Sequence, residues 1–193
     1  MLPLAALAWA LHHHAQIFAT SGLETPLFVL LVTAIVVGSV EATGVRGWLA
    51  VGFLGVAACL TRPDGALYYG LALIAAGVSQ VGRRGALAAL LLPGLGFGLP
   101  YLAWKVQWFG EILPNTFYAK AGGGPRWEQG LAYIAIYLRM YWVCLVGVGA
   151  ALVLVLRRRG NTPWSGPRAG GMILASLLAT AIYVARVGGD FMF

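Results

Sequence analysis

Charge is what this chain has least of. Only 10% of its 193 residues are charged, and six of these are carboxylates, where a soluble domain carries about a quarter. Hydrophobic residues make up 60% and the mean hydropathy is +0.82. A globule of this size cannot hide so much apolar surface, because burial is limited by surface-to-volume scaling. An ordinary soluble domain is therefore excluded, and lipid is the solvent that fits. Cysteine is also scarce. Cys59 and Cys144 lie in apolar stretches with no metal-ligand spacing, so they read as small core residues and not as a disulfide framework or a metal knuckle. No P-loop, GxSxG, HExxH or CxxC pattern occurs, which removes the common soluble nucleotide, hydrolase, zinc-protease and redox signatures. No basic stretch followed by a small-residue cleavage site opens the chain, so no signal peptide is expected.

Long apolar runs are what remains. They cover Pro26–Val40, Trp48–Leu60, Gly65–Val81, Ala86–Val106, Tyr141–Leu156 and Gly171–Val187. A spanning helix needs about 20 mostly apolar residues. The expectation is an all-α, polytopic bundle of about six to seven membrane helices, with residues 1–193 forming one transmembrane module. A loop and interfacial helix are expected at about 107–139. The first segment, Leu2–Phe18, is interrupted by His12, His13, His14 and Gln16. Consecutive helical positions point about 100° apart, so these three histidines form a polar interfacial patch and not a metal site. Met1 leads straight into apolar Leu2–Leu11, and the chain stops at Phe193 just after Gly188-Gly189-Asp190. Both ends read as cuts through a longer protein. Pro93 to Pro100, with three glycines between them, should kink the fourth run, since proline removes a backbone donor and clashes with the preceding turn. In lipid a neighbouring helix or a cavity must then satisfy the freed groups.

The net charge of +7 is not a nucleic-acid stripe, because the basic residues sit between apolar runs. Placing the loops with Arg83-Arg84 and Arg157-Arg158-Arg159 in the cytoplasm follows the positive-inside rule. Alternation then puts Arg46 and Arg168 inside with Glu41. Glu24, Asp64, Glu111, Glu128 and Asp190, five of the six carboxylates, fall on the outer face. Carboxylates are common in outer loops, so this asymmetry fits either plain topology or a site at the outer membrane surface.

Four polar strings lie on that face. In Ser21-Gly22-Leu23-Glu24-Thr25-Pro26, Pro26 suits the first turn of a helix and Glu24 its positive end. Thr61-Arg62-Pro63-Asp64-Gly65 is a tight helical hairpin; Asp64 can cap the helix after it, while Arg62 at the rim suits a phosphate group. Leu113-Pro114-Asn115-Thr116-Phe117-Tyr118-Ala119-Lys120 lies among aromatics that match an interfacial belt, which accounts least for Asn115 and Lys120. The fourth string is Arg186-Val187-Gly188-Gly189-Asp190, which a simple turn would also explain.

Taken in order, Ser21–Phe28, Arg62–Gly65, Leu113–Lys120 and Gly188–Phe191 resemble bacterial multi-pass glycosyltransferases of the GT-C type, and above all the actinobacterial terminal arabinofuranosyltransferase group and its family-39-like relatives. The resemblance covers about residues 17 to 193. It implies transfer of a sugar from a polyprenyl-phosphate donor to a cell-envelope glycan, on the non-cytoplasmic face of a bacterial plasma membrane. It also implies inverting chemistry, in which a carboxylate takes the acceptor proton and cations, with or without a divalent metal, stabilise the leaving phosphate. Asp64 and Glu24 are then the candidate catalytic carboxylates. Arg62 and Lys120 are candidates for donor phosphate, Asn115 and Tyr118 for sugar or phosphate oxygens, and Asp190 for the acceptor side. The group's principal acidic residue lies upstream of the Ser21 string, where this chain has none, so the resemblance implies part of an enzyme. The competing readings are a transporter or permease subunit, whose path the Pro93–Pro100 break would line, and a structural membrane subunit without catalysis.

Overall fold

A computed structural model describes residues 13–20, 24–78, 82–113, 118, 124–157, 164 and 167–189. Within them the protein is all-α, with no strand. The helices run α1 (His13–Thr20), α2 (Thr25–Glu41), α3 (Val45–Thr61), α4 (Gly65–Gly77) and α5 (Arg83–Pro93). A π-helical turn, Gly94–Gly98, leads into α6 (Leu99–Phe109), followed by α7 (Trp127–Met140), α8 (Trp142–Arg157) and α9 (Pro167–Val187). Of the histidine patch, His12 falls outside the described residues, as do Arg158 and Arg159.

Among the described residues two helices are long and apolar enough to cross a membrane: Arg84–Phe109, of 26 residues, and Arg168–Val187, of 20. At 1.5 Å per residue the shorter is about 30 Å long, the thickness of a hydrocarbon core. Trp127–Met140 and Leu145–Arg157 add a third span if the pair, bent by 87°, counts as one. The other apolar helices, α2, α3 and α4, have only 17, 17 and 13 residues. By length and composition, two or three of the expected spans are met among the described residues. The polar connections Ala42–Gly44 and Arg62–Asp64 end their flanking helices early.

Helices α2 to α5 share one core. It contains Phe28, Ile35, Trp48, Val51, Tyr68 and Leu90, with Ala58, Ala72, Ala76, Ala86 and Ala89 between the backbones. Lipid tails are as apolar as leucine, so close backbone approach replaces hydrophobic drive in such a bundle. Gly52 illustrates it: a Cβ there would run into the Leu90 carbonyl. A second cluster, Val40, Ala169 and Met172, seats the start of α9 on the end of α2.

The Pro93 break becomes the π-turn, in which the Leu99 N–H bonds to the Gly94 carbonyl. Gly94 N–H turns to Leu91, and the Leu90 carbonyl instead accepts from the Tyr69 hydroxyl at 2.7 Å. A neighbouring helix therefore satisfies the disrupted backbone, as lipid requires.

The connections fall at two ends. One end holds the finish of α2 and the start of α9, where Arg168 donates to the Ser39 carbonyl and Trp164 donates to Glu41. Gly85 approaches Val45, and Gly170 meets Leu156, so Arg46, Arg84 and Arg157 gather at that same end. Glu24, Arg62 and Asp64 lie together at the other end.

Tyr69→Phe is expected to destabilise the bundle by about 1 kcal/mol, the net worth of one hydrogen bond. Gly52→Val should destabilise it more, by forcing α3 away from Leu90. Reversible unfolding in mixed micelles reads both, and an unchanged Tyr69→Phe midpoint would show that Leu90 needs no donor.

Candidate functional site

Helices α2 and α4 both start at the carboxylate-bearing end, and α3 finishes between them. Glu24 and Asp64 occupy the N-cap positions of α2 and α4, with Pro26 in the first turn of α2, yet neither side chain caps its helix. Both turn to Arg62. Its Nε donates to Asp64 Oδ1 at 3.0 Å and its Nη2 to Oδ2 at 3.2 Å, a bidentate pair. Nη1 stands 3.6 Å from Glu24 Oε1. The capping that the sequence allowed for Asp64 is thus replaced by an ion pair, because a bidentate guanidinium offers the stronger, charge-assisted bonds. The side chain of Asp64 is 13% exposed, that of Arg62 37% and that of Glu24 49%, so Glu24 is the carboxylate open to an incoming group. Burial works against the Arg62 cation. The hydrogen bonds and charge of Asp64, joined by the charge of Glu24, outweigh it and hold the guanidinium above its ordinary pKa.

Local sequence dictates this geometry. Only three residues join α3 to α4, and a Cβ at Gly65 would overlap the Ala58 carbonyl. Glycine lets the hairpin close and brings Arg62 and Asp64, two positions apart, onto one side.

The cluster rests on an aromatic floor that begins with Phe28, the last residue of the first string. Arg62 Cζ lies 5.2 Å from the Phe28 ring centroid, a cation–π distance. Phe28 meets Tyr68 edge-on at 6.2 Å. Tyr68 and Thr180 of α9 share a 2.7 Å hydrogen bond. Since Thr180 donates to the Ser176 carbonyl, the tyrosine is the donor. Tyr183, one turn further along α9, lies within electrostatic reach of Asp64 and Arg62. The signal was available: Phe28 and Tyr68 each follow a site carboxylate by four residues, which puts them on its helix face.

The other candidates separate from this cluster. Tyr118 is exposed and hydrogen-bonds Glu111, which pushes its phenol above the ordinary value. Asn115, Lys120 and Asp190 lie outside the described residues. The glycines before Asp190 are described: Gly188 and Gly189 take φ of +94° and +73°, which only glycine adopts freely. Their N–H groups both reach the Val184 carbonyl, at 3.0 and 3.1 Å. They pack against Arg126 and Tyr133, and the Arg126 N–H donates to the Arg186 carbonyl at 2.9 Å. The start of α7 is thus bound to the finish of α9.

No three His, Cys, Asp or Glu side chains among the described residues converge on a metal position. Glu24 and Asp64 are both engaged by Arg62, so the described residues do not fit the divalent cation that the resemblance allowed. One depression, of about 370 Å³, opens at the opposite end between Gly38 and Leu54, beside Glu41 and Arg46. It contains none of the candidate residues.

Fold and site define an all-α membrane protein with a charged cluster where two helices start and a third ends. Two curated proteins match the chain along its whole length. Both are named terminal beta-(1->2)-arabinofuranosyltransferase: that of Mycobacterium tuberculosis is 31% identical and that of Corynebacterium glutamicum 27%. The resemblance read from the four strings therefore holds over the full chain. The chain spans about a third of these relatives, 35% and 32% of their lengths. No family profile and no solved structure matches it.

A double-mutant cycle of Arg62→Gln and Asp64→Asn is expected to give a coupling of about 1 kcal/mol, the upper range for a part-exposed pair. The Glu24→Gln and Arg62→Gln cycle should give clearly less, in keeping with its longer separation. Equal couplings would contradict the bidentate geometry.

Proposed function

We propose that this chain is part of a membrane glycosyltransferase that transfers an arabinofuranosyl unit to a cell-wall glycan. The donor is a polyprenyl-phosphate sugar, and the reaction takes place on the non-cytoplasmic face of a bacterial plasma membrane, with the arginine-rich end in the cytoplasm. The whole-chain likeness to two arabinofuranosyltransferases supports the reaction class. The positive-inside rule supports the orientation.

One observation carries the site assignment. Arg62 is fixed through Nε and Nη2 by Asp64, while Nη1 is held only loosely by Glu24. That leaves one guanidinium edge to meet a phosphate oxygen, preorganised before the donor arrives. In the proposed step the bond from the sugar's anomeric carbon to the donor phosphate oxygen breaks. The acceptor hydroxyl oxygen bonds to that carbon, its proton passes to a carboxylate, and the lipid phosphate leaves as an anion beside Arg62. Glu24, the more open carboxylate, suits the proton. Asp64 suits the task of orienting Arg62. With both carboxylates ionised the three groups carry an excess negative charge, so a phosphate needs a further cation, and Lys120 is assigned that role. Asn115, Tyr118 and Asp190 are assigned to sugar and acceptor contacts.

In the complete enzyme, Arg62→Ala is expected to lower kcat/KM for the donor by about a hundredfold, the typical loss of one preorganised charge-stabilising donor. Arg62→Lys should restore little, because an ammonium cannot keep the fork to Asp64. Glu24→Gln should lower kcat with KM nearly unchanged. Transfer assays with labelled polyprenyl-phosphate sugar measure all three, and wild-type rates from Arg62→Ala would end the assignment.

A further inference from the structure

Helix α9 brings one more polar group to the Arg62 cluster than the proposed reaction has used. Helices α4 and α9 run in opposite directions, α4 leaving the carboxylate-bearing end and α9 arriving there. The 2.7 Å bond between Tyr68 and Thr180 fixes their register. Four residues back from Tyr68, α4 reaches Asp64; three residues on from Thr180, α9 reaches Tyr183. Each step is about one helical turn toward the same end, so Asp64 and Tyr183 stand at one level. Positions three apart share a helix face, so Tyr183 lies on the face that Thr180 turns to Tyr68. It is within electrostatic reach of both Asp64 and Arg62. A tyrosine that only anchored a helix end would sit on the lipid side, at the headgroups; this one turns to the cluster.

Its hydroxyl makes no hydrogen bond among the described residues. It is not sealed off either, since the buried groups without a partner are Ser39 Oγ, Trp48 Nε1 and Arg168 Nε. The residue is half-buried and its backbone is held, because the Gly188 and Gly189 N–H groups both bond the Val184 carbonyl beside it. Arg62, Asp64 and Glu24 together carry an excess negative charge, so a phosphate at the open Nη1 edge gains from a hydrogen-bond donor that adds no further anion. A phenol is such a group, and its bond to an anionic oxygen is short and charge-assisted. We infer that Tyr183 is a further substrate-binding residue, whose hydroxyl donates to one phosphate oxygen of the polyprenyl-phosphate sugar while Arg62 meets another. The inference rests on the reaction proposed above and adds α9 to the helices that form the site.

The test is Tyr183→Phe in the complete enzyme, which removes the hydroxyl and keeps the ring. The kcat/KM for labelled polyprenyl-phosphate sugar is expected to fall about tenfold, the worth of one hydrogen bond to a charged group. Inhibition by sugar-free polyprenyl phosphate, which offers the phosphate alone, should weaken by a similar factor. The acceptor KM and the thermal unfolding midpoint should stay at wild-type values, because the unliganded protein loses no hydrogen bond. Tyr68→Phe is the contrast: it breaks a bond already made to Thr180, so its midpoint should drop. Wild-type kinetics in Tyr183→Phe alongside a large loss in Arg62→Ala would overturn this inference and leave the proposed reaction standing; wild-type rates in Arg62→Ala would remove both. A lowered midpoint in Tyr183→Phe, an effect on the acceptor KM alone, or unchanged inhibition by polyprenyl phosphate would each overturn the phosphate contact.

Discussion

The carboxylate-bearing end of this protein is organised around one cation shared by two helix starts. Helix dipoles favour negative charge at their N-termini, so Glu24 and Asp64 sit where α2 and α4 begin. Two such acids side by side would repel without Arg62 between them. The residue that neutralises them belongs to the very turn that joins α3 to α4. Gly65 makes that turn short enough for Arg62 and Asp64 to pair across two positions. Helical packing and polar cluster are thus one construction: loosening the hairpin would also separate the charges.

The opposite end has the reverse problem. Arginines outnumber acids there, and Arg168 rests on an indole face and a backbone carbonyl with no ion-paired carboxylate among the described residues. A chain with so few charged residues cannot balance both ends internally. The relatives named arabinofuranosyltransferases are about three times longer, and this chain accounts for one stretch of them.

Much of the architecture was legible because lipid leaves so few options. Backbone groups in an apolar solvent must bond within helices, so the apolar runs translate directly into α2 to α6, α8 and α9. The Arg62–Asp64 hairpin was equally plain, since five polar or turn-forming residues interrupt otherwise apolar sequence. Helix lengths were not legible. Hydropathy does not register that Ala42–Gly44 and Arg62–Asp64 end their helices so soon. Nor did it disclose which partner Asp64 prefers: helix cap and guanidinium are both local, and geometry decides. The contribution of Tyr68, Thr180 and Tyr183 was hidden for another reason. It depends on α9, more than a hundred residues downstream, returning to the start of α4, and single-chain periodicity contains no such distance.

The π-turn between α5 and α6 has a consequence for how the protein sits in its solvent. An i to i+5 bond accommodates one more residue per turn than an α-helix would, so everything beyond Gly98 is rotated by about 100° relative to an unbroken helix. That rotation sets the azimuth of Tyr101, Trp104 and Trp108, all exposed, independently of the face with which α5 grips the core through Ala86, Ala89 and Leu90. The helix can therefore hold the bundle with one side below the turn and present its aromatic girdle in a different direction above it. Loss of a single residue from Gly94–Gly98 would leave the grip intact while swinging the girdle round the helix axis.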